Sequence, residues 1–278
     1  MSKRNNWDNK QSARERLRAE RERQAKKDKT RRQLVVGGAV VAVLAVAAGI
    51  GVAVTRLGGD GKSGGLNASW EAASKKDLVK PAHTGGDQGT EILIGDKNAK
   101  HTLDLYQDMR CPICSVFEQS VGDTIDKDIK DGKYKVSYHV ATFLDRNFGG
   151  SGSKNALSAL GAALNVSPEA FSAYNKALYS KANHPEETKD DYAKDDVLLK
   201  VAGQVPALKG NKEFEKNVKD GTFDKWALTV SDEFDKAKDV TGTPTLKLDG
   251  KKLTAEDGKN VPITPDQYTK AIDGALKS

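Results

Sequence analysis

Cysteine and histidine are scarce in this chain, with two and four residues among 278. A structural zinc site normally takes four Cys or His ligands at paired spacings, and His83, His101, His139 and His184 show no such pairing. The ligand count therefore argues against zinc, and no metal is expected. No internal repeat is evident, which argues against a solenoid or array. The basic run ARERLRAERERQAKK near the N-terminus has no aromatic for base stacking, and its Arg and Lys are mixed with Glu at helical spacing. That pattern argues against nucleic-acid binding and for a helix that sets topology and contacts anionic lipid.

One long apolar run stands out. Residues 34–54 (LVVGGAVVAVLAVAAGIGVAV) hold no charge, and 21 residues at about 1.5 Å each cross a hydrocarbon core of roughly 30 Å. A signal peptide would have a shorter apolar region and a small-residue cleavage site, so an uncleaved transmembrane helix is expected. Residues 1–33 carry 13 Lys/Arg against 5 Asp/Glu, whereas only Arg56 and Lys62 follow the span among glycines. The positive-inside rule then places residues 1–33 in the cytoplasm and the rest outside it. The overall net charge of +6 comes from this tail, because the remaining residues carry slightly more acid than base.

Beyond the span, residues 55–88 read as a flexible linker, Gly/Ser-rich at 57–65 and with a short possible helix in 67–88 before a Pro/Gly break. Residues 89–278 suit a single domain with a sizeable core. Short strands are expected at 91–95 and 102–106, a helix from Cys111 to about Lys130 stopped by Asp131-Gly132, and an alternating strand at 134–141. From about 150 to 238, apolar residues recur at spacings of three and four between Asn, Pro, Gly and Asp breaks, which predicts an all-helical block. A strand at 243–248, the turn Asp249-Gly250, a strand at 251–254 and a helix opened by Thr264-Pro265 complete the order. The fold class is α/β, with the helical block interrupting a smaller α/β unit.

Both cysteines lie in Cys111-Pro112-Ile113-Cys114, where an apolar strand gives way to a helix. A structural bridge over two intervening residues closes a tiny loop and removes little chain entropy, so that reading is weak. A dithiol/disulfide exchange centre gains from the same smallness, because both sulfurs stay adjacent in either redox state. Cys111 at a helix N-terminus has its thiolate stabilised by unpaired N–H groups and the macrodipole, and becomes the nucleophile. Pro112 falls in the first turn, where its missing N–H costs nothing. Cys114, one turn further in, is placed to resolve a mixed disulfide. Arg110 either adds positive potential or, the blander and favoured reading, is a solvated side chain.

The strand–CPxC–helix arrangement, the inserted helical block and Val240-Thr-Gly-Thr-Pro-Thr245 leading into a strand together resemble the DsbA-like thiol-disulfide oxidoreductases of the thioredoxin superfamily. The resemblance covers roughly residues 90–276. It implies a thioredoxin-like fold, with Pro244 as the cis-proline packed against the dithiol and Thr243 as the residue before it. In two respects this chain departs from the pattern. The better-known oxidases have His where this chain has Ile113, and the acid often found six residues before the first cysteine is replaced by Leu105, with Asp104 and Asp108 nearby. Asp104 is either a proton shuttle for Cys114 or a hydrogen-bonded structural carboxylate.

The apolar span with its charge bias, taken with the resemblance, leads to the expectation of a membrane-anchored, extracytoplasmic thiol-disulfide oxidoreductase that exchanges disulfides with cysteine-containing secreted or envelope proteins. No metal or organic cofactor is implied, and a redox partner in the membrane is. A reductase or isomerase of the same superfamily, and a non-catalytic thioredoxin-like interaction domain, are the alternatives.

Overall fold

The computed structural model describes residues 64–277. The basic tail and the apolar span of residues 34–54 lie outside the described residues. Among the described residues no helix is long and apolar enough to cross a membrane.

The domain is built on a five-stranded sheet. Its strands are β1 (Ile92–Ile94), β2 (Thr102–Asp108), β3 (Lys135–Ala141), β4 (Thr245–Leu248) and β5 (Lys251–Lys252), in the order β1-β3-β2-β4-β5. β2 and β3 are parallel and joined through a helix, while β1, β4 and β5 pair antiparallel with their neighbours. Leu103 and Leu105 on β2 alternate with Asp104, so one face of the strand is apolar, as the two-residue period requires. That face packs into a buried cluster with Val136, Tyr138 and Val140 of β3 and Leu246 and Leu248 of β4.

The joining helix, α2 (Pro112–Lys130), follows the expected bounds. Phe117, Val121 and Ile125 recur at i, i+4, i+8 and are buried, which gives the helix its core stripe. It ends at Asp131, with Lys127 and Lys130 in the last turn and Gly132 at φ +71°. Those features suit a helix C-terminus: cations beside the exposed carbonyls and a residue that tolerates the left-handed region. The C-terminal helix α9 (Pro265–Ala275) opens on Thr264, whose hydroxyl accepts from Gln267 N, and sets Tyr268 edge-on to Phe117.

Between β3 and β4 lie only helices: α3 (Phe143–Phe148), α4 (Gly152–Val166), α5 (Pro168–Tyr179), a 3₁₀ turn (Asp191–Ala193), α6 (Asp195–Ala202), α7 (Lys212–Asp220) and α8 (Asp224–Asp235). This is a helical insertion where the spacing of apolar residues placed one. α4 is buried along most of its length, which its Ala, Ser and Gly content permits. At Gly161 a Cβ would lie 2.6 Å from the fully buried Trp226 ring, so only glycine lets these elements approach so closely. Truncating Trp226 to alanine would cost about 3–5 kcal/mol on the scale of large core deletions.

The linker expected over residues 55–88 is corrected within the described part. Gly64–Ser74 is a helix, α1, whose Trp70 and Ala73 are buried. It packs on α8, where Lys225 Nζ donates to Ser74 O at 2.7 Å. Further along, Asn165 Oδ1 accepts from Ala82 N at 2.9 Å, and Trp226 Nε1 donates to Gly89 O at 2.6 Å. One aromatic and one small residue three apart, with an apolar surface waiting on α8, are enough to dock a segment whose composition reads as spacer.

Candidate active site

The end of β2 delivers the chain to the dithiol. Cys111 is the N-cap of α2, in extended conformation (φ −74°, ψ 116°), and Pro112 stands in the first turn. Its main chain is tied on both sides, Cys111 N donating to Asp108 O at 2.9 Å and Ser115 N to Cys111 O at 3.1 Å. In place of the usual capping oxygen, Cys111 Sγ accepts from Cys114 N at 3.4 Å. Both thiols are free, and Cys111 and Cys114 are 5% and 3% exposed.

The register of β4 brings a second segment to the same place. Tyr106 is level with Thr245, so the residues just before β4 fall beside the β2–α2 turn. The Thr243–Pro244 bond is cis and Pro244 is buried. The Cys111 thiol donates to Thr243 O at 3.4 Å. The Thr243 hydroxyl, buried and without a well-formed hydrogen bond, faces the two sulfurs and lowers the pKa of each.

These surroundings make the thiols unequal. The Cys111 pKa lies below its ordinary value, first because the Cys114 thiol hydrogen-bonds to it, with Thr243 and the Cys114 N–H adding to the effect against burial. Cys114 is pushed well above its ordinary value, first by burial and then by the neighbouring Cys111 sulfur. A hydrogen bond to the charged form lowers a pKa, and desolvation of an anion raises one. The pair therefore holds one thiolate-prone sulfur and one proton-retaining sulfur.

The other expected site residues fall unevenly. Ile113 is half-buried and packs against the core cluster. Asp104 is not brought to the thiols. Its Oδ1 is 2.9 Å from His139 Nε2, and it is not among the leading influences on the Cys114 sulfur. The carboxylate that acts on the Cys111 thiol is Asp108, three residues before it, while the backbone of Asp108 hydrogen-bonds to Cys114. Burial pushes the Asp108 pKa up to about 6, against hydrogen bonds from Ser153 Oγ and the N–H groups of Arg110 and Leu144. Asp108 stands at the strand end where Cys111 begins, whereas Asp104 is four residues deeper in the sheet. Once ionised, Asp108 raises the Cys111 pKa and so opposes the thiolate.

Arg110 is not a solvated side chain. It is fully buried, its Nη1 donating to Asp145 Oδ1 at 3.0 Å and Gly149 O at 2.8 Å, and its Nη2 to Glu187 O at 3.0 Å. The helical insertion supplies two further contacts that sequence reasoning did not single out. Tyr179 hydroxyl donates to Asp108 O at 2.9 Å, and Ser115 Oγ donates to Tyr179 O at 2.7 Å. Among the described residues no cluster of three or more His, Cys, Asp or Glu is arranged to hold a metal ion.

Sheet, inserted helices and a CxxC pair at a helix N-terminus facing a cis-proline segment define a thioredoxin-fold domain. A family model described as Thioredoxin matches residues 87–274, well over half of the chain, and the chain belongs to that family. Among solved structures, the fold is similar to oxidised DsbA of Mycobacterium tuberculosis (TM-score 0.55, 22% identity, 68% of this chain and 93% of that one). It is also similar to oxidised BdbD of Bacillus subtilis (TM-score 0.55, 21% identity, 72% and 100%). MdbA of Actinomyces oris, a thiol-disulfide oxidoreductase, gives a TM-score of 0.56 at 20% identity over 72% and 91% of the two chains. The serine/threonine-protein kinase PknE of M. tuberculosis is 29% identical over 121 residues, 42% of this chain. The match spans about a fifth of the length of that curated relative.

Proposed function

We propose that the protein is a thiol-disulfide oxidoreductase acting through Cys111 and Cys114. The inequality of the two thiols carries this reading, because exchange needs one sulfur that attacks as thiolate and one that holds its proton until called to resolve. Structural neighbours named DsbA, and MdbA described as such an oxidoreductase, support it.

In the oxidising direction a substrate thiolate attacks Cys111 Sγ of the Cys111–Cys114 disulfide. The S–S bond breaks, and Cys114 leaves with the electron pair and takes up a proton, consistent with its raised pKa. The second substrate thiolate then attacks the substrate sulfur of the mixed disulfide and Cys111 leaves as thiolate. Two substrate thiols become a disulfide, and their two electrons reside in the reduced pair. Stabilising the Cys111 thiolate stabilises that reduced state and so favours oxidation of substrate. Pro112, Ile113, Thr243 and Pro244 shape the site around the sulfurs. Ile113, with no imidazole to stabilise the thiolate, weighs toward the reductase or isomerase alternative.

The substrates proposed are cysteine-containing secreted or envelope proteins, with the domain outside the cytoplasm, the span of residues 34–54 as anchor and a membrane redox partner. The charge bias before the apolar span supports this placement. The test of activity is oxidation of a reduced two-cysteine peptide by the full chain charged with its disulfide. Formation of the peptide disulfide at the expense of the Cys111–Cys114 bond is the expected result; a peptide left reduced under every redox buffer favours the non-catalytic interaction domain.

A further inference from the structure

The turn that presents Cys111 is gripped from the helical insertion. Asp108 accepts from Ser153 Oγ at 2.6 Å and from Leu144 N at 3.1 Å, and its carbonyl takes the Tyr179 hydroxyl. Arg110, next in line to Cys111, reaches furthest. Besides Asp145 and the Gly149 and Glu187 carbonyls, it has Asp190 Oδ1 at 3.5 Å.

Those two carboxylates have a second task. Asp145 accepts from Ser153 N at 2.9 Å and Lys154 N at 3.0 Å, while Asp190 accepts from Ser151 N at 3.1 Å and Gly152 N at 2.8 Å. They satisfy N–H groups at the start of α4, which have no partner within the helix. One guanidinium thus ties the residue before Cys111 to the first turn of a deeply buried helix. The charge of Arg110 is already met by Asp145 and Asp190, and its contacts hold the chain just before Cys111 in one place. Its effect on the site is therefore one of position.

The geometry points to Arg110 as a positioning residue for the dithiol: clamped by Asp145, Asp190 and two carbonyls of the insertion, it keeps Cys111 seated on the α2 N-terminus against Thr243. This rests on the oxidoreductase reading. The planar fork of arginine serves several partners at once, whereas a lysine ammonium on a flexible stem carries the same charge without that geometry.

The test compares Arg110→Met and Arg110→Lys with the wild type, all as the full chain, by the rate of Cys111 alkylation at pH 6 and by the redox equilibrium with glutathione. Both variants are expected to alkylate about tenfold more slowly, as for a one-unit rise in thiol pKa. The equilibrium constant is expected to move about tenfold toward a less oxidising pair, or about 30 mV for a two-electron couple. Unchanged rate and equilibrium in a folded Arg110→Met, or full rescue by Arg110→Lys, overturns the proposal. Should Arg110→Met not fold, Asp190→Asn is measured in its place, with slower alkylation in support and an unchanged rate against. A wild type with no measurable dithiol–disulfide couple overturns the oxidoreductase reading itself. A wild-type couple that the variants leave unmoved overturns this inference alone.

Discussion

Cys111 Sγ lies 3.4 Å from the carbonyl oxygen of Thr243, a residue 132 positions further along the chain. The antiparallel β2–β4 register makes the contact possible, since Thr245 is level with Tyr106 and the chain just before β4 meets the chain just after β2. A sulfur so placed is held between a helix N-terminus and a strand entry. Each neighbour that touches it can be removed separately.

The largest influence holding the Cys111 pKa down is the hydrogen bond from the Cys114 thiol. Replacing Cys114 by serine keeps a donor at that position, and replacing it by alanine removes it. The Cys111 pKa, titrated by thiolate absorbance, is expected to be higher in Cys114→Ala than in Cys114→Ser by about one unit, within the range that single hydrogen bonds produce. Equal values in the two variants would mean that the side chain at position 114 does not set the thiolate, leaving Thr243 and the Cys114 N–H to do so.

Thr243→Val removes the hydroxyl that lowers both thiols while keeping the shape of the side chain. Alkylation of Cys111 at pH 6 is expected to slow severalfold, because a smaller fraction of the sulfur is thiolate. Near-UV circular dichroism of the variant is expected to match the wild type. An unchanged rate would leave Thr243 with its carbonyl contact alone.

Glu118, on α2 four residues beyond Cys114, is buried, and burial pushes its pKa from 4.5 up to about 7, with Asp126 and Asp123 adding to the rise against Lys176. A carboxyl with a folded-state pKa above its unfolded value binds more protons when folded. Its contribution is complete below about 4.5 and is lost as pH rises through about 7. Glu118→Gln removes that loss, so the variant is expected to be the more stable protein at pH 8, by up to about 3 kcal/mol for a shift of this size. Between pH 4.5 and 7 its stability curve is expected to be flatter than that of the wild type. Urea denaturation across this range makes the comparison, and parallel curves for the two proteins would contradict it.

The placement of the domain outside the cytoplasm is tested by adding protease to intact cells. Loss of residues 64–277 with retention of the 1–33 segment is expected. Cleavage confined to residues 1–33 would reverse the topology.

Local features of the site were legible where a few adjacent residues determine them. The apolar stripe Phe117, Val121, Ile125, the Pro112 in the first turn and the Asp131-Gly132 stop define α2 without reference to the rest of the chain. Thr243-Pro244 could be linked to the cysteines only through the resemblance to a known family, because contact across 132 residues depends on strand register. Asp104 was favoured over Asp108 for the same reason: distance along a strand does not tell which carboxylate stands at its open end. Arg110 was misplaced because its partners Asp145, Asp190, Gly149 and Glu187 come from the insertion, far along the chain. A short helix is legible within the linker, but its start at Gly64 and its docking are not, because the seat of Trp70 depends on the surface of α8, which no local pattern reveals.

The most direct test is trapping of the exchange intermediate. Full-length Cys114→Ser and Cys111→Ser proteins are incubated with a peptide carrying a single disulfide, quenched with acid and mapped by mass spectrometry. The Cys114→Ser protein is expected to accumulate a mixed disulfide at Cys111, and the Cys111→Ser protein none at Cys114, whose buried thiol keeps its proton. Equal trapping at the two cysteines, or none at Cys111, would contradict a nucleophilic Cys111 and with it the proposed exchange.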